Sequence, residues 1–447
     1  MVTDLSAPAA RARAHARWAG GGVALRIVVG LVVAVLGTSW AWSNPYEAKA
    51  TVDSFQYVRL AYRDIGDSNA QARIEAARVR CYYWRHVRPP ESSMSVEIPV
   101  TRALIRRQCP LRERPVPEAS PRYEAIFAGR PAFPALAAAL LPSLHSRAFT
   151  VVTLALAVAS GLALFVGALS LTGSAVAAAV ATGALYAVPA GVWITRIGPE
   201  GGAMLGTVLA VQGISSALRP APTVPDAGTP GASTGTSTAA RVAPHRTPRW
   251  WGAALFVVGL LVTFAFKSAN ALVLVAVVAS LLLALAAVRR AVTPLVLAAV
   301  AGACGVVLVG LNGLLHWPGA SVTLQDTFTN HFIHPDVRSP WRLLLRADHR
   351  ILDAFVRDAG KVGLLVLVCV AVLVLLMRAP SCALPWAALA PCGALVALAH
   401  PVSSEFPRLV LPLWVPVVVA MGVVVQTVLA GLGRGLRSPR HSLARER

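Results

Sequence analysis

The sequence is poor in charge. Asp, Glu, Lys and Arg make up only 14% of its 447 residues, where a soluble globular chain carries about 25%. That scarcity excludes an ordinary water-soluble enzyme. Acidic residues are the rarer sign, 20 against 41 Lys and Arg, leaving a formal charge of +21. Basicity of this size can indicate nucleic acid, but the apolar content supplies a better explanation, and no nucleic-acid partner is expected. Cysteine is also scarce: the six present form no CxxC or Cys/His spacing, which removes the usual zinc and dithiol motifs. What is abundant is hydrophobic side chain, 56% of the total. It is gathered into runs of about 20 residues, each able to cross a ~30 Å hydrocarbon core.

These runs predict an all-α polytopic membrane protein, because a span must satisfy its own backbone polar groups and the runs are too long for barrel strands. Ten spans are expected, near 23–43, 149–171, 174–194, 201–218, 250–266, 270–288, 291–315, 362–377, 383–399 and 408–430. The Lys/Arg bias of the short loops orients the chain with both termini cytoplasmic, as basic tails at 1–22 and 431–447. Residues 44–148 and 316–361 then form long outer loops, and seventeen of the 20 acidic residues fall outside. Trp40 and Trp42 mark an interface at the end of the first span, which is not read as a cleavable signal. Residues 219–249, rich in Pro, Gly, Ser and Thr, read as a disordered cytoplasmic linker. No convincing internal repeat is visible, which weighs against an inverted-repeat transporter.

In the first outer loop, Phe55, Val58, Ala61, Tyr62 and Ile65 recur at helical spacing and predict a short amphipathic helix lying on the membrane, ended by Gly66. Ser68 and Gln71 resemble a capping box for a second helix through Ala70, Ile74, Ala77 and Cys81. Residues 122–142, Pro-broken, read as a re-entrant or interfacial segment. Cys81 and Cys109 are the only cysteines in this loop; outside the cytoplasm a bridge is the expected state.

Asp53 opens the first interfacial helix, where a carboxylate can meet both solvent and a lipid head group and can serve as a base toward an acceptor hydroxyl; the alternative role is helix N-cap. Arg408, beside Glu405 at a span boundary, can hold a lipid phosphate or simply pair with Glu405. Glu200 caps the next span's N-terminus, and His400 opens the last outer turn. In the second long loop, His331, His334 and Asp336 are metal-ligand candidates, with surface or head-group contacts as the more ordinary reading.

The arrangement resembles the GT-C superfamily of integral-membrane glycosyltransferases. The string Asp53-Ser-Phe-Gln-Tyr57-Val-Arg-Leu-Ala61, followed by Gly66-Asp-Ser68, is similar to a pattern of actinobacterial members. So are the return segment from Arg122 through Tyr123 and Phe127 to Arg130-Pro-Ala-Phe-Pro134, and Glu405-Phe-Pro-Arg408 with Pro412 and Pro416. The chain departs from the family in having no acidic neighbour beside Asp53.

The resemblance implies an inverting transfer from a polyprenyl-phosphate sugar to an envelope glycan, lipid or protein on the outer face of the plasma (inner) membrane. Asp53 would be the base, and Tyr57, Arg130, Glu200, His400, Glu405 and Arg408 would bind substrate or lipid phosphate. No cofactor is required, and metal dependence stays open. The competing readings are a lipid or polysaccharide transporter or flippase, opposed by the scarcity of ionisable residues within the spans, and a non-catalytic envelope-assembly scaffold.

Overall fold

The computed structural model describes residues 7–44, 49–85, 109, 120–219, 250–378, 380–402 and 405–435. Among these the architecture is all-helical, with one isolated bridge between Ala50 and Ile197 and no strand. The helices are α1 Ala7–Ser43, α2 Val52–Asp64, α3 Asn69–Arg85, α4 Pro121–Ala128, α5 Ala132–Leu144, α6 Arg147–Thr172, α7 Ala175–Ala187, α8 Pro189–Ile194, α9 Glu200–Ala217 and α10 Trp250–Phe266. They continue as α11 Ser268–Arg289, α12 Val292–Leu314, α13 Ala320–Phe328, α14 Pro340–Arg357, α15 Ala359–Arg378, α16 Pro380–Ala387, α17 Leu389–Ala399, α18 Phe406–Leu409 and α19 Leu411–Gly435.

Seven segments among the described residues are long and apolar enough to cross a membrane: Gly22–Ser43, α6, α11, α12, α15, Ser381–Ala399 and Leu411–Leu432. The pair α4 and α5, bent by 81°, raises this to eight if it is one broken span. The protein is therefore a multi-pass membrane protein by length and composition. Three expected spans are not among the seven. The run 174–194 is split into α7 and α8 at Val188–Pro189, where proline opens the second piece and its ring disfavours helix in the preceding residue. The runs 201–218 and 250–266 form at their expected lengths, as helices of 18 and 17 residues, shorter than each of the seven. The sharp bend between α4 and α5 falls at Gly129–Pro131. At the N-terminus, helix α1 begins at Ala7, within the stretch expected to be a tail. The linker residues 220–249, the end of the C-terminal tail and most of 86–119 lie outside the described residues.

Helices α9 and α10 pack closely through glycines. A side chain at Gly206 would strike Thr263 and the Gly259 carbonyl, and one at Gly213 would strike the Phe256 backbone and the Gly252 carbonyl. Small residues that let backbones approach are the common device of helix association in lipid. The two helices run antiparallel, so this contact brings Glu200, the first residue of α9, to Lys267, the residue after α10.

Loop one is packed as a layer of its own. The α2 face carrying Phe55, Val58 and Ala61 is buried, whereas Ile65 is exposed. In α3 the expected face is covered at Ala77 and Cys81 and half-covered at Ile74, but Ala70 is exposed and the buried side widens to Ala72 and Ala76. The widening follows from α3 packing along α2, with Arg80 lying over Phe55 and Trp84 at 5.0 and 4.8 Å. Buried Arg59 joins three elements, donating to Gln56 and Asn69 and pairing with Glu124 of α4 at 3.0 Å. Cys81 and Cys109 are bonded, with Cα atoms 5.6 Å apart.

Candidate functional site

Asp53 is placed by the N-terminus of α2. Its cap is Thr51, not Asp53: the Ser54 amide donates to Thr51 Oγ1 at 3.3 Å, and the Thr51 amide donates to Ser54 Oγ at 2.8 Å. The expected N-cap alternative for Asp53 is thereby corrected, because capping belongs to the residue whose backbone is still extended, and that residue is Thr51. Asp53 lies in the first turn, where the helix dipole favours an anion. The start of α2 is pinned to the turn before α9: the Ile197 amide donates to the Lys49 carbonyl, and the Ser54 hydroxyl donates to the Ile197 carbonyl. Trp84 Nε1 donates to the Ala50 carbonyl at 2.8 Å. These bonds set Asp53 beside Glu200.

Arg408 completes the centre. One terminal nitrogen donates to Asp53 Oδ2 at 2.5 Å, the other to Glu405 Oε2 at 2.7 Å, and Nε lies 3.9 Å from Glu200 Oε1. Glu200 Oε1 also receives Lys267 Nζ at 2.9 Å. His400 Nε2 is 3.2 Å from Glu405 Oε2, and its Nδ1 is 3.1 Å from the Thr327 hydroxyl of α13. The Trp193 ring of α8 lies under Arg196 at 4.1 Å and near Arg408 at 5.9 Å. Three carboxylates, Asp53, Glu200 and Glu405, thus surround one guanidinium.

This network is only partly closed. The side chains of Glu200 and Arg408 are 6% and 11% exposed, but those of Asp53, His400 and Glu405 are 17%, 22% and 29% exposed. Asp53, His400 and Glu405 therefore keep contact with the surroundings, while Glu200 and Arg408 are nearly enclosed. Burial opposes ionisation of Glu405, but the His400 hydrogen bond and the nearby Arg408 outweigh it and hold the carboxyl down at about 2. The group is an anion at any physiological pH.

Tyr57 stands one turn along α2 from Asp53 and accepts from Arg130 at 2.7 Å. Edge-on Phe127 and Phe133 enclose its ring at 5.3 and 6.1 Å. Burial pushes the Tyr57 hydroxyl well up, against the pull of Arg130, so its proton stays available to donate.

The metal-ligand candidates do not converge. His331 Nδ1 meets Asp326 Oδ1 at 3.0 Å, whereas Asp336 is engaged by Arg122 at 2.8 Å. His334 is exposed, and no metal-binding group of three is present among the described residues. The cause is local: Asn330, His331 and Phe332 are left-handed, with φ of 52°, 61° and 60°. That turn sends successive side chains to different neighbours. The His331 ring packs on Tyr123 at 4.5 Å, and the Phe332 ring lies under Arg122 at 4.3 Å. The Asp326 hydrogen bond raises the His331 pKa, with burial opposing it. The turn closes loop two over α4, next to the site.

Sequence reasoning assigned no role to Lys267 and passed over Trp193. Lys267 had one signal, a lone charge at the end of an apolar run. Comparison of the chain with protein-family models, with curated proteins and with solved structures finds no match.

Proposed function

We propose that the chain is a membrane glycosyltransferase, moving a sugar from a polyprenyl-phosphate donor to an envelope acceptor on the outer face with inversion at the anomeric carbon. The observation that carries this reading is the contact of Asp53 with Arg408, brought together from opposite ends of the sequence. A phosphate arriving at Arg408 would compete for the guanidinium and release the Asp53 carboxylate. The acceptor hydroxyl then attacks the anomeric carbon and gives its proton to Asp53. The bond from that carbon to the phosphate oxygen breaks, and the electron pair leaves on the phosphate, held by Arg408. Glu405 and Glu200 fix Arg408 in place, and Lys267 offsets the second of these charges. Tyr57 and Arg130, bonded to each other beside the site, would support Asp53 from behind and act on substrate through it. The scheme requires no cofactor.

The test is transfer from a polyprenyl-phosphate sugar in proteoliposomes. Asp53→Asn should lower the rate by about 10²–10⁴-fold in a protein that still folds, since Thr51 keeps the helix cap and Arg408 keeps Glu405, although loss of the Asp53–Arg408 pair lowers its thermal stability. Undiminished transfer would reject Asp53 as the base. A well-folded wild-type protein with no activity on any such donor would favour the envelope-assembly scaffold instead.

A further inference from the structure

Helix α14 is built unlike any other helix outside the spans. Its residues Arg342, Arg346, Arg350, Asp353 and Arg357 share one side with His349, and the rest of the surface is apolar apart from Asp348, whose partly buried carboxyl is raised by desolvation and so favours the neutral form. Only Leu344 is buried. On the side away from the protein, Trp341, Leu345, Leu352 and Val356 form a stripe at spacings of four and seven residues, and they are 55%, 70%, 51% and 72% exposed. This stripe directly adjoins the basic row. Arg342, Leu345, Arg346, His349 and Arg350 line a shallow open groove along it. Arg357 is paired with Asp353 at 2.8 Å, but Arg342, Arg346 and Arg350 make no ion pair among the described residues.

Water is a poor solvent for that stripe, and protein does not cover it. The chain position says what does. Only Asp358 separates α14 from α15, one of the seven membrane-crossing segments, so α14 ends at a bilayer surface. A helix with a strong apolar side, a basic side and little overall hydrophobicity lies in the plane of such a surface. The apolar stripe enters the acyl boundary, while the arginines alongside reach the phosphates of the head groups.

We infer that α14 is an in-plane membrane helix whose Arg342, Arg346 and Arg350 bind the head groups of anionic phospholipids. The occupant is the surrounding bilayer itself, selected by charge complementarity: three unpaired guanidiniums on one side, with no carboxylate in the described protein to satisfy them. The inference stands whether or not the site around Asp53 is a transferase.

Hydrogen exchange of the α14 backbone tests it, with the full-length protein in nanodiscs of phosphatidylcholine alone or of phosphatidylcholine mixed with an equal part of phosphatidylglycerol. Exchange should be slower in the anionic discs, by roughly five-fold for each arginine engaged. In the R342Q/R346Q/R350Q variant the difference between the two lipids should vanish. Exchange in α2 should be unaltered, which shows that the variant is folded. Equal protection in both lipids, or a head-group effect that survives the triple substitution, would overturn the inference. So would protection that ignores lipid charge and rises with protein concentration, the behaviour of an interface between two copies of the chain.

Discussion

Helices α2 and α14 share a pattern and differ in outcome. Both are amphipathic, both stand outside the spans, and each belongs to one of the two long loops. Helix α2 buries Phe55, Tyr57, Val58 and Ala61 against protein and carries Asp53 to the site, whereas α14 buries Leu344 alone. Amphipathicity therefore does not say which solvent the apolar side will meet. In α2 that choice is made by neighbours that need it: the bridge at Ala50, the Arg59 network and α5. Helix α14 has few such neighbours, and its free arginines point to lipid.

The sharpest way to break this contrast is at Asp53 itself, since the largest expected effect is the loss of transfer in Asp53→Asn described above. Next comes a matched pair of truncations. Phe55→Ala, in the buried face of α2, should cost about 3–5 kcal/mol in thermal or denaturant unfolding. Leu345→Ala in α14 should stay within about 0.5 kcal/mol in detergent. Equal losses would mean that α14 is covered by protein after all.

Reducing loop one covalently should cost slightly less than the core truncation. Replacing Cys81 and Cys109 by Ser opens a 28-residue separation, worth roughly 3 kcal/mol in the chain-entropy model, and Ellman titration before and after denaturation checks that the bridge was present. A smaller effect is expected from pH. The folded-state pKa of Glu405 is depressed to about 2 from 4.5, so its pairing stabilises the protein above pH 4.5 and is lost as pH falls from there toward 2. Glu405→Gln should flatten that part of the acid-unfolding profile; an unchanged profile would separate Glu405 from Arg408 and His400.

Much of this was legible in the sequence, and the remainder has physical causes. Long apolar runs announce membrane helices, because a bilayer leaves the backbone no other choice. The breaks are harder: Pro189 divides an otherwise continuous run, and nothing in the runs of α9 and α10 says that their glycines bring the two backbones together. The buried side of α3 is wider than its apolar residues indicate, because Arg80 lies over Phe55 of α2. Asp53, Glu405 and Arg408 stood out as charges at span boundaries. The partnership of Glu200 with Lys267 did not, since it depends on an antiparallel contact formed across residues 218–249. The histidines at 331 and 334 suggested a metal because spacing alone ignores backbone handedness, and a left-handed turn parts them. The periodicity of α14 is written in residues 340–357, but the exposure of its apolar side is a property of the tertiary packing.

The central claim is that Arg408 receives the donor's phosphate and that Asp53 stands against it as the base. Binding of a polyprenyl phosphate to the purified protein, compared among wild type, Asp53→Asn and Arg408→Gln, tests it most directly. The account predicts that Asp53→Asn binds at least as tightly as wild type, because it frees the guanidinium, and that Arg408→Gln binds at least about ten-fold more weakly, as expected for a lost charge-assisted contact. Equal binding by all three proteins, or equal loss in both variants, would contradict it.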